Sequence, residues 1–226
     1  TCLKDAVSVL YLDNPNNPLG RWINIEEVGE LIKVADHNGV IVIIDEAYGD
    51  FVDDKQSAIH LIPYFRNLAV LRSFSKGLGL AAARVGYMFL SSELAQYYQP
   101  LDVPFEPTLL SAELAYATLT DIEFIERVRN IATNTKHSLV ACLEKCGLVV
   151  LPTHPTTSIL TACKEGQDIV KMFASIGISV EPGSAFQKTH SGWDDSYCRI
   201  RLPKKDDLEE FQQRLEFLTR GGREKC

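Results

Sequence analysis

Lys76 ends the stretch Ser73-Phe74-Ser75-Lys76, and small residues follow at once from Gly77 to Ala83 before Arg84. A hydrophobic run, Leu68-Ala69-Val70-Leu71, leads straight into it. A lysine delivered by a strand end into a tight Gly/Ala-rich bend can sit in a pocket, lose its proton more easily than in water, and attack an aldehyde. A plain exposed turn lysine has the same local sequence. Two other groups with chemical potential also follow apolar runs. Asp45 closes Val40-Ile41-Val42-Ile43-Ile44, where a carboxylate is costly unless paired, or else caps a helix. Asn17 stands in the turn-rich Asp13-Asn14-Pro15-Asn16-Asn17-Pro18-Leu19-Gly20, read either as turn chemistry or as amides facing a ligand.

The elements that must position them follow from periodicity. Val7 to Leu12 reads as a buried strand, short and closed by turn residues. Asn24 opens a helix in which Glu27 completes a capping box, Ile25, Val28, Leu31, Ile32 and Ala35 form the apolar face, and Gly39 is the stop. Residues 40–44 form a central parallel strand covered on both faces, and 68–71 form the third. Strand, helix, strand, loop, strand indicates an open α/β sheet with right-handed crossovers, in which ligands bind beyond the carboxyl ends of the strands. Asn17, Asp45 and Lys76 each follow a strand, so one crevice can receive all three.

A further strand is expected at Val85–Leu90, with helices at about Ser91–Tyr98, Thr108–Leu119 and Asp121–Lys145. After Gly147 the texture changes to short strands at 148–151, 178–180 and 198–202 with two amphipathic helices, the last carrying Leu208, Phe211, Leu215 and Leu218. The predicted fold is therefore α/β: an open, mostly parallel sheet with flanking helices over residues 1–120, then a long linking helix and a smaller α+β domain over 121–226.

Composition narrows the function. The 226 residues are 46% hydrophobic and 23% charged, and the net charge of −7 comes without a basic cluster, which argues against nucleic acid as a partner. No apolar run is long enough to span a bilayer, so no membrane partner is expected. The six cysteines (Cys2, Cys142, Cys146, Cys163, Cys198, Cys226) are scattered and fit free thiols in a reducing cytoplasm, with Cys142 and Cys146 read as core packing. The five histidines show no metal-ligand spacing, so no metal is expected.

Two motifs are decoys. Ser73-x-x-Lys76 matches the serine hydrolases that bind penicillin, but those also need Ser-Asp-Asn and Lys-Thr-Gly, and here Lys188-Thr189 runs into His190. Gly77-x-Gly79-x-x-Ala82 mimics a dinucleotide fingerprint, yet no acidic residue stands at a strand end about 20 positions on; Asp102 lies in a proline-broken segment.

The remaining pattern is specific. Asn14-Pro15-Asn16-Asn17-Pro18-Leu19-Gly20, Asp45-Glu46-Ala47-Tyr48, Ser73-Phe74-Ser75-Lys76 and Arg84-Val85-Gly86-Tyr87 stand in the order and spacing of fold-type I pyridoxal-phosphate aminotransferases of class I/II. Asp45 to Phe51, Leu71 to Tyr87 and Val103-Pro104-Phe105 most resemble histidinol-phosphate aminotransferases. The resemblance implies pyridoxal 5'-phosphate as cofactor, with Lys76 forming the Schiff base and then serving as acid and base. It implies Asp45 paired with the pyridine nitrogen, Asn17 and Tyr48 on the ring's 3'-oxygen, and Ser73, Ser75 and Arg84 on the phosphate. Tyr197-Cys198-Arg199-Ile200 is similar to the strand bearing the family's carboxylate-binding arginine, here Arg199.

The implied activity is transfer of an amino group between an amino acid, or a histidinol-phosphate-like amine, and a 2-oxo acid such as 2-oxoglutarate, by a cytoplasmic homodimer. A threonine-phosphate-type decarboxylase and a catalytically incomplete fragment are the alternatives. The family's N-terminal segment, with its glycine/serine phosphate loop, ring-stacking aromatic and tyrosine for a partner subunit's phosphate, has no counterpart, so an N-terminally incomplete chain is expected. Where histidinol-phosphate enzymes tend to carry an arginine, residues 177–186 read Gly-Ile-Ser-Val-Glu-Pro-Gly-Ser-Ala-Phe, as in general amino-acid aminotransferases. Arg201, on the same strand face as Arg199, is read as a surface or ion-paired residue or as a contact for a second anion.

Overall fold

A computed structural model describes residues 7–101, 103–104 and 106–221; Cys2, Asp102, Phe105 and Cys226 lie outside them. The chain divides into two compact units, one of residues 1–16 and 22–128, the other of 17–21 and 129–226.

The first unit is built on a four-stranded sheet in the order β1 (Val9–Asp13), β2 (Ile41–Asp45), β3 (Leu68–Ser73), β4 (Gly86–Leu90). The first three strands are parallel and β4 is antiparallel. Between β1 and β2 runs α1 (Ile25–His37), opened by Asn24, whose side chain accepts the Glu27 N–H at 2.8 Å; the bond is one-way rather than a reciprocal box. Side chains alternate across a sheet. Leu10, Leu12, Val42, Ile44, Leu68 and Val70 therefore share one face and pack with Val28, Ile32 and Ala35 of α1. Register places Tyr11, Asp13, Ile43, Asp45, Leu71, Ser73 and Met88 on the other. After β4 come α2 (Ser92–Tyr98), α3 (Leu109–Thr120) and α4 (Ile122–Lys145). Ala115 of α3 and Ile125 of α4 close a small core over Phe74, Leu78 and Val85.

Arg72 of β3 points away from Ser73, toward the α1 side, and is almost fully buried with a 6% exposed side chain. Its Nε donates to Glu46 Oε2 at 2.8 Å and its Nη1 to Asp50 Oδ1 at 3.3 Å. Glu46 also accepts from the Ser57 hydroxyl and the Ala58 N–H, both at 2.6 Å. Burial alone would pull the guanidinium down, but the charges of Glu46 and Asp50 hold it above its ordinary value. Gly77 lies against this network, and any side chain there would overlap Asp50.

The second unit holds an antiparallel sheet in the order β5 (Val149–Val150), β6 (Ile159–Cys163), β8 (Tyr197–Arg201), β7 (Glu181–Pro182). The sequence reading has no strand at β6 and sets the β7 strand three residues early; β6 is nonetheless central and almost wholly buried. Helices α4, α5 (Ile169–Ser175) and α6 (Leu208–Gly221) contribute Leu139, Leu143, Ile169, Phe173 and Leu215 to a core with Leu160, Ala162, Cys198 and Ile200. Cys142, Cys146, Cys163 and Cys198 are free thiols, and Cys142 and Cys146 pack on this core.

The segment 17–21 belongs to this unit. The Thr161 hydroxyl donates to the Pro18 carbonyl at 2.6 Å and the His154 N–H to the Gly20 carbonyl at 2.9 Å. Gly20, at φ +66°, lies where a Cβ would overlap the Thr153 and Thr157 hydroxyls. Those threonines also hold buried Lys136 of α4, whose Nζ donates to the His154 carbonyl at 2.7 Å, Thr157 Oγ1 at 2.8 Å and Thr153 Oγ1 at 3.2 Å. Among the described residues it has no counter-ion, and burial pulls it down from 10.5 to about 7.

Two outcomes are expected. Arg72→Met leaves Glu46 and Asp50 buried without their cation, costing about 3 kcal/mol in urea unfolding. For Lys136, the unfolded chain holds the extra proton between pH 7 and 10.5, so raising pH through that window favours folding; below pH 7 both states are charged and the effect vanishes. Against a Lys136→Met variant, the natural chain should therefore gain about 3 kcal/mol from pH 7 to about 9.5 in paired urea titrations.

Candidate functional site

β2 and β3 are adjacent and parallel, so their carboxyl ends open on the same side, and Asp45 and Ser73 reach it from the same sheet face. Asp45, Ala47, Leu71, Ser73, Ser75, Arg84, Val85, Met88 and Tyr98 border a cleft of about 560 Å³. Asp45 does not cap a helix. Its Oδ1 accepts the Ala47 N–H at 2.8 Å, a local Asx-type turn, and its Oδ2 accepts the Tyr11 hydroxyl.

Ser73 Oγ accepts the Ser75 N–H at 3.0 Å, which folds the chain back after β3 and sets both hydroxyls on the cleft. Arg84 sits in the left-handed region at φ +49°, the one non-glycine residue with positive φ among the described residues, with Nη1 donating to the Ala81 carbonyl at 3.1 Å. A side chain in that conformation costs about 1 kcal/mol, and such strain clusters at functional sites.

Lys76 differs from the pocketed lysine of the sequence reading. It stands exposed on the turn, with Nζ 5.3 Å from the centroid of the buried Tyr48 ring and no hydrogen bond or ion pair among the described residues. The Ser73–Ser75 turn ends the strand before Lys76, so the side chain leaves the sheet instead of lying against it. Tyr48 stacks on Phe51 at 6.3 Å.

The second unit brings Asn17 and Arg199 together. Arg199 Nη1 donates to Asn17 Oδ1 at 2.8 Å and pairs with Glu181 Oε2 at 3.2 Å, its partner in the β7–β8 register. Arg201 lies on the same strand face, exposed and without an ion pair among the described residues. Asp45, Tyr48, Ser73, Ser75, Lys76 and Arg84 thus belong to the first unit, Asn17 and Arg199 to the second.

The sequence reading does not single out Tyr11, Arg72 or Glu181. Tyr11 and Arg72 meet residues more than 20 positions away through strand register, which local spacing does not encode. Glu181 had a weaker signal: an acidic residue on a strand paired with the one bearing Arg199.

The donor set of the cleft suits an anionic, nitrogen-containing aromatic ring. Its lining offers the Asp45 carboxylate, the Ser73 and Ser75 hydroxyls, Arg84, and apolar Leu71, Val85 and Met88.

A histidinol-phosphate aminotransferase of Archaeoglobus fulgidus is 32% identical over 94% of this chain, and the chain spans 58% of its length. The structure of histidinol-phosphate aminotransferase from Sinorhizobium meliloti, in complex with pyridoxal-5'-phosphate, superposes with a TM-score of 0.80 at 23% identity, over 94% of this chain and 57% of that one. L-threonine-O-3-phosphate decarboxylase from Porphyromonas gingivalis gives 0.75 at 21%, over 94% and 66%. These two structural likenesses establish the fold, and the membership rests on the family model, whose description is aminotransferase class I and II and which matches residues 2–215. This protein belongs to that family.

Proposed function

We propose that the protein transfers an amino group between an amino acid and a 2-oxo acid, with pyridoxal 5'-phosphate held in the cleft at the ends of β2 and β3. The family is pyridoxal-phosphate-dependent. The observation that carries the reading is the placement of Asp45 beside Ser73, Ser75 and Arg84 on one cleft, with Lys76 on the turn that leaves it. The cofactor, when bound, supplies an aldehyde that captures amines and a protonated ring that accepts the electron pair released at the substrate Cα.

The chain's residues do the rest. Lys76 Nζ, with no hydrogen bond or ion pair among the described residues, would be the nucleophile for that aldehyde and would hold and move the substrate's Cα proton. Asp45 holds a negative charge against the ring nitrogen and keeps its proton there. The Tyr48 hydroxyl would serve the ring's 3'-oxygen. Ser73, Ser75 and the Arg84 fork hold the phosphate through charge-assisted bonds.

Arg199 takes the substrate carboxylate on the part of its fork that Asn17 and Glu181 leave open. Glu181 puts negative charge beside that fork, which supports amino-acid donors over those with a second anion at the same place. Among the described residues no helix is long and apolar enough to cross a membrane, which is consistent with a cytoplasmic enzyme. Exposed Leu109, Leu110, Tyr116 and Leu119 along α3 support a homodimer that covers them.

A decarboxylase is the second reading, favoured by the Porphyromonas neighbour's shared fold. Product analysis separates the two, because carbon dioxide released without an oxo acid would sink the transaminase. The direct test is to load the protein with cofactor, reduce with borohydride and map the modified peptide. Attachment at Lys76 is expected, and Lys76→Ala should lose the attachment together with on the order of 10³-fold in turnover. A cofactor band unchanged in Lys76→Ala would overturn the assignment.

A further inference from the structure

Asp45 is set in place by more than its own strand. In the β1–β2 register Asp13 stands directly opposite Asp45 and Tyr11 directly opposite Ile43. Two carboxylates facing each other across a ladder repel, whereas an aromatic side chain two residues back on the same face is long enough to reach across to the opposite carboxylate. Tyr11 makes that reach, and its hydroxyl donates to Asp45 Oδ2 while the Ala47 N–H donates to Oδ1. The carboxylate is thus fixed at both oxygens, one by the backbone and one by a side chain from the neighbouring strand.

Partial burial, the bond to Asp45, and the charges of Asp45 and Asp13, in that order, hold the Tyr11 hydroxyl above the usual phenol range, so it stays a donor across the working pH range. The Tyr11 ring adds little to the core: the residue is 56% exposed. Asp13 has its own donor, the Asn16 side-chain amide at 2.9 Å, so Tyr11 serves Asp45.

We propose that Tyr11 is a positioning residue for the cofactor, orienting the Asp45 carboxylate toward the ring nitrogen through its hydroxyl. This rests on the reading of Asp45 as the ring-nitrogen partner. Each carboxylate oxygen has two acceptor sites, so a donation from Tyr11 leaves room for a ring N–H while removing the side chain's freedom to turn. The opposing Asp13 makes that restraint more necessary, because an unrestrained Asp45 would rotate away from it.

The test is a double-mutant cycle on the full protein chain, read by the dissociation constant for pyridoxal 5'-phosphate and by the split between kcat and KM. Tyr11→Phe keeps the ring and deletes only the hydroxyl. It should weaken cofactor binding about tenfold and lower kcat by a similar factor, while KM for the amino donor holds. In an Asp45→Ala background the same change should alter cofactor affinity by less than about twofold, because the acceptor is already gone. Urea unfolding of cofactor-free Tyr11→Phe should match the natural chain. An equal loss in both backgrounds, or no loss in either, would overturn the proposal while leaving the cofactor reading intact. Failure of the unmutated protein to bind the cofactor would overturn both.

Discussion

The rest of the first unit depends on the ion network around Arg72. Taking a guanidinium and two carboxylates out of water is expensive, and the cost is met only when nearly every donor and acceptor has a partner. Here Glu46 accepts from Arg72, Ser57 and the Ala58 backbone, while Asp50 accepts from Arg72. The covalent neighbours give this its meaning. Glu46 follows Asp45, Arg72 precedes Ser73, and strand alternation sends each neighbour the opposite way. The network therefore ties the ends of β2 and β3 together from the helix-covered side, and Asp45 and Ser73 emerge on the other side already spaced.

Such alternation explains why much of the architecture was readable from the sequence. The continuous apolar runs of β2 and β3 could only be buried strands, and the capped amphipathic pattern of α1 could only be a helix. Where the physics is nonlocal the reading stopped. In β6, Thr161 and Cys163 interrupt the apolar signal and a stretch of prolines, threonines and serine precedes it, so nothing local distinguishes it from a loop. Two-residue β7 is too short for any period. Candidate site residues stood out as ordered motifs, but not the exposure of Lys76, which depends on how the chain turns after Ser73.

The second unit shows the same use of a costly buried charge. Lys136 carries its ammonium into a cradle of hydroxyls and a carbonyl, and the same threonines bound the space into which only Gly20 fits. The residues from Asn17 to Arg21 therefore fold with a sheet far along the chain, and Asn17 reaches Arg199 because Pro18 and Gly20 are held by Thr161 and His154. Buried polar contacts of this kind add little net stability; here they fix where the segment from Asn17 to Arg21 lies.

The two groups central to the proposed chemistry are treated in opposite ways, and chemistry of this type requires that. An acid that must hold one proton on one ring atom gains from having no freedom, and Asp45 is restrained by its strand, by the Ala47 amide and by the Tyr11 hydroxyl. An amine that must first bind an aldehyde, then leave it and carry a proton between two atoms gains from having few partners to give up. Lys76 stands on a turn where, among the described residues, its ammonium has the Tyr48 ring as its neighbour, a contact worth about 0.5–1 kcal/mol at an exposed site. That is weak enough to surrender in the proposed chemistry. Restraint is thus concentrated beneath the cleft and at Asp45, while Lys76, the proposed nucleophile, has few contacts to give up among the described residues.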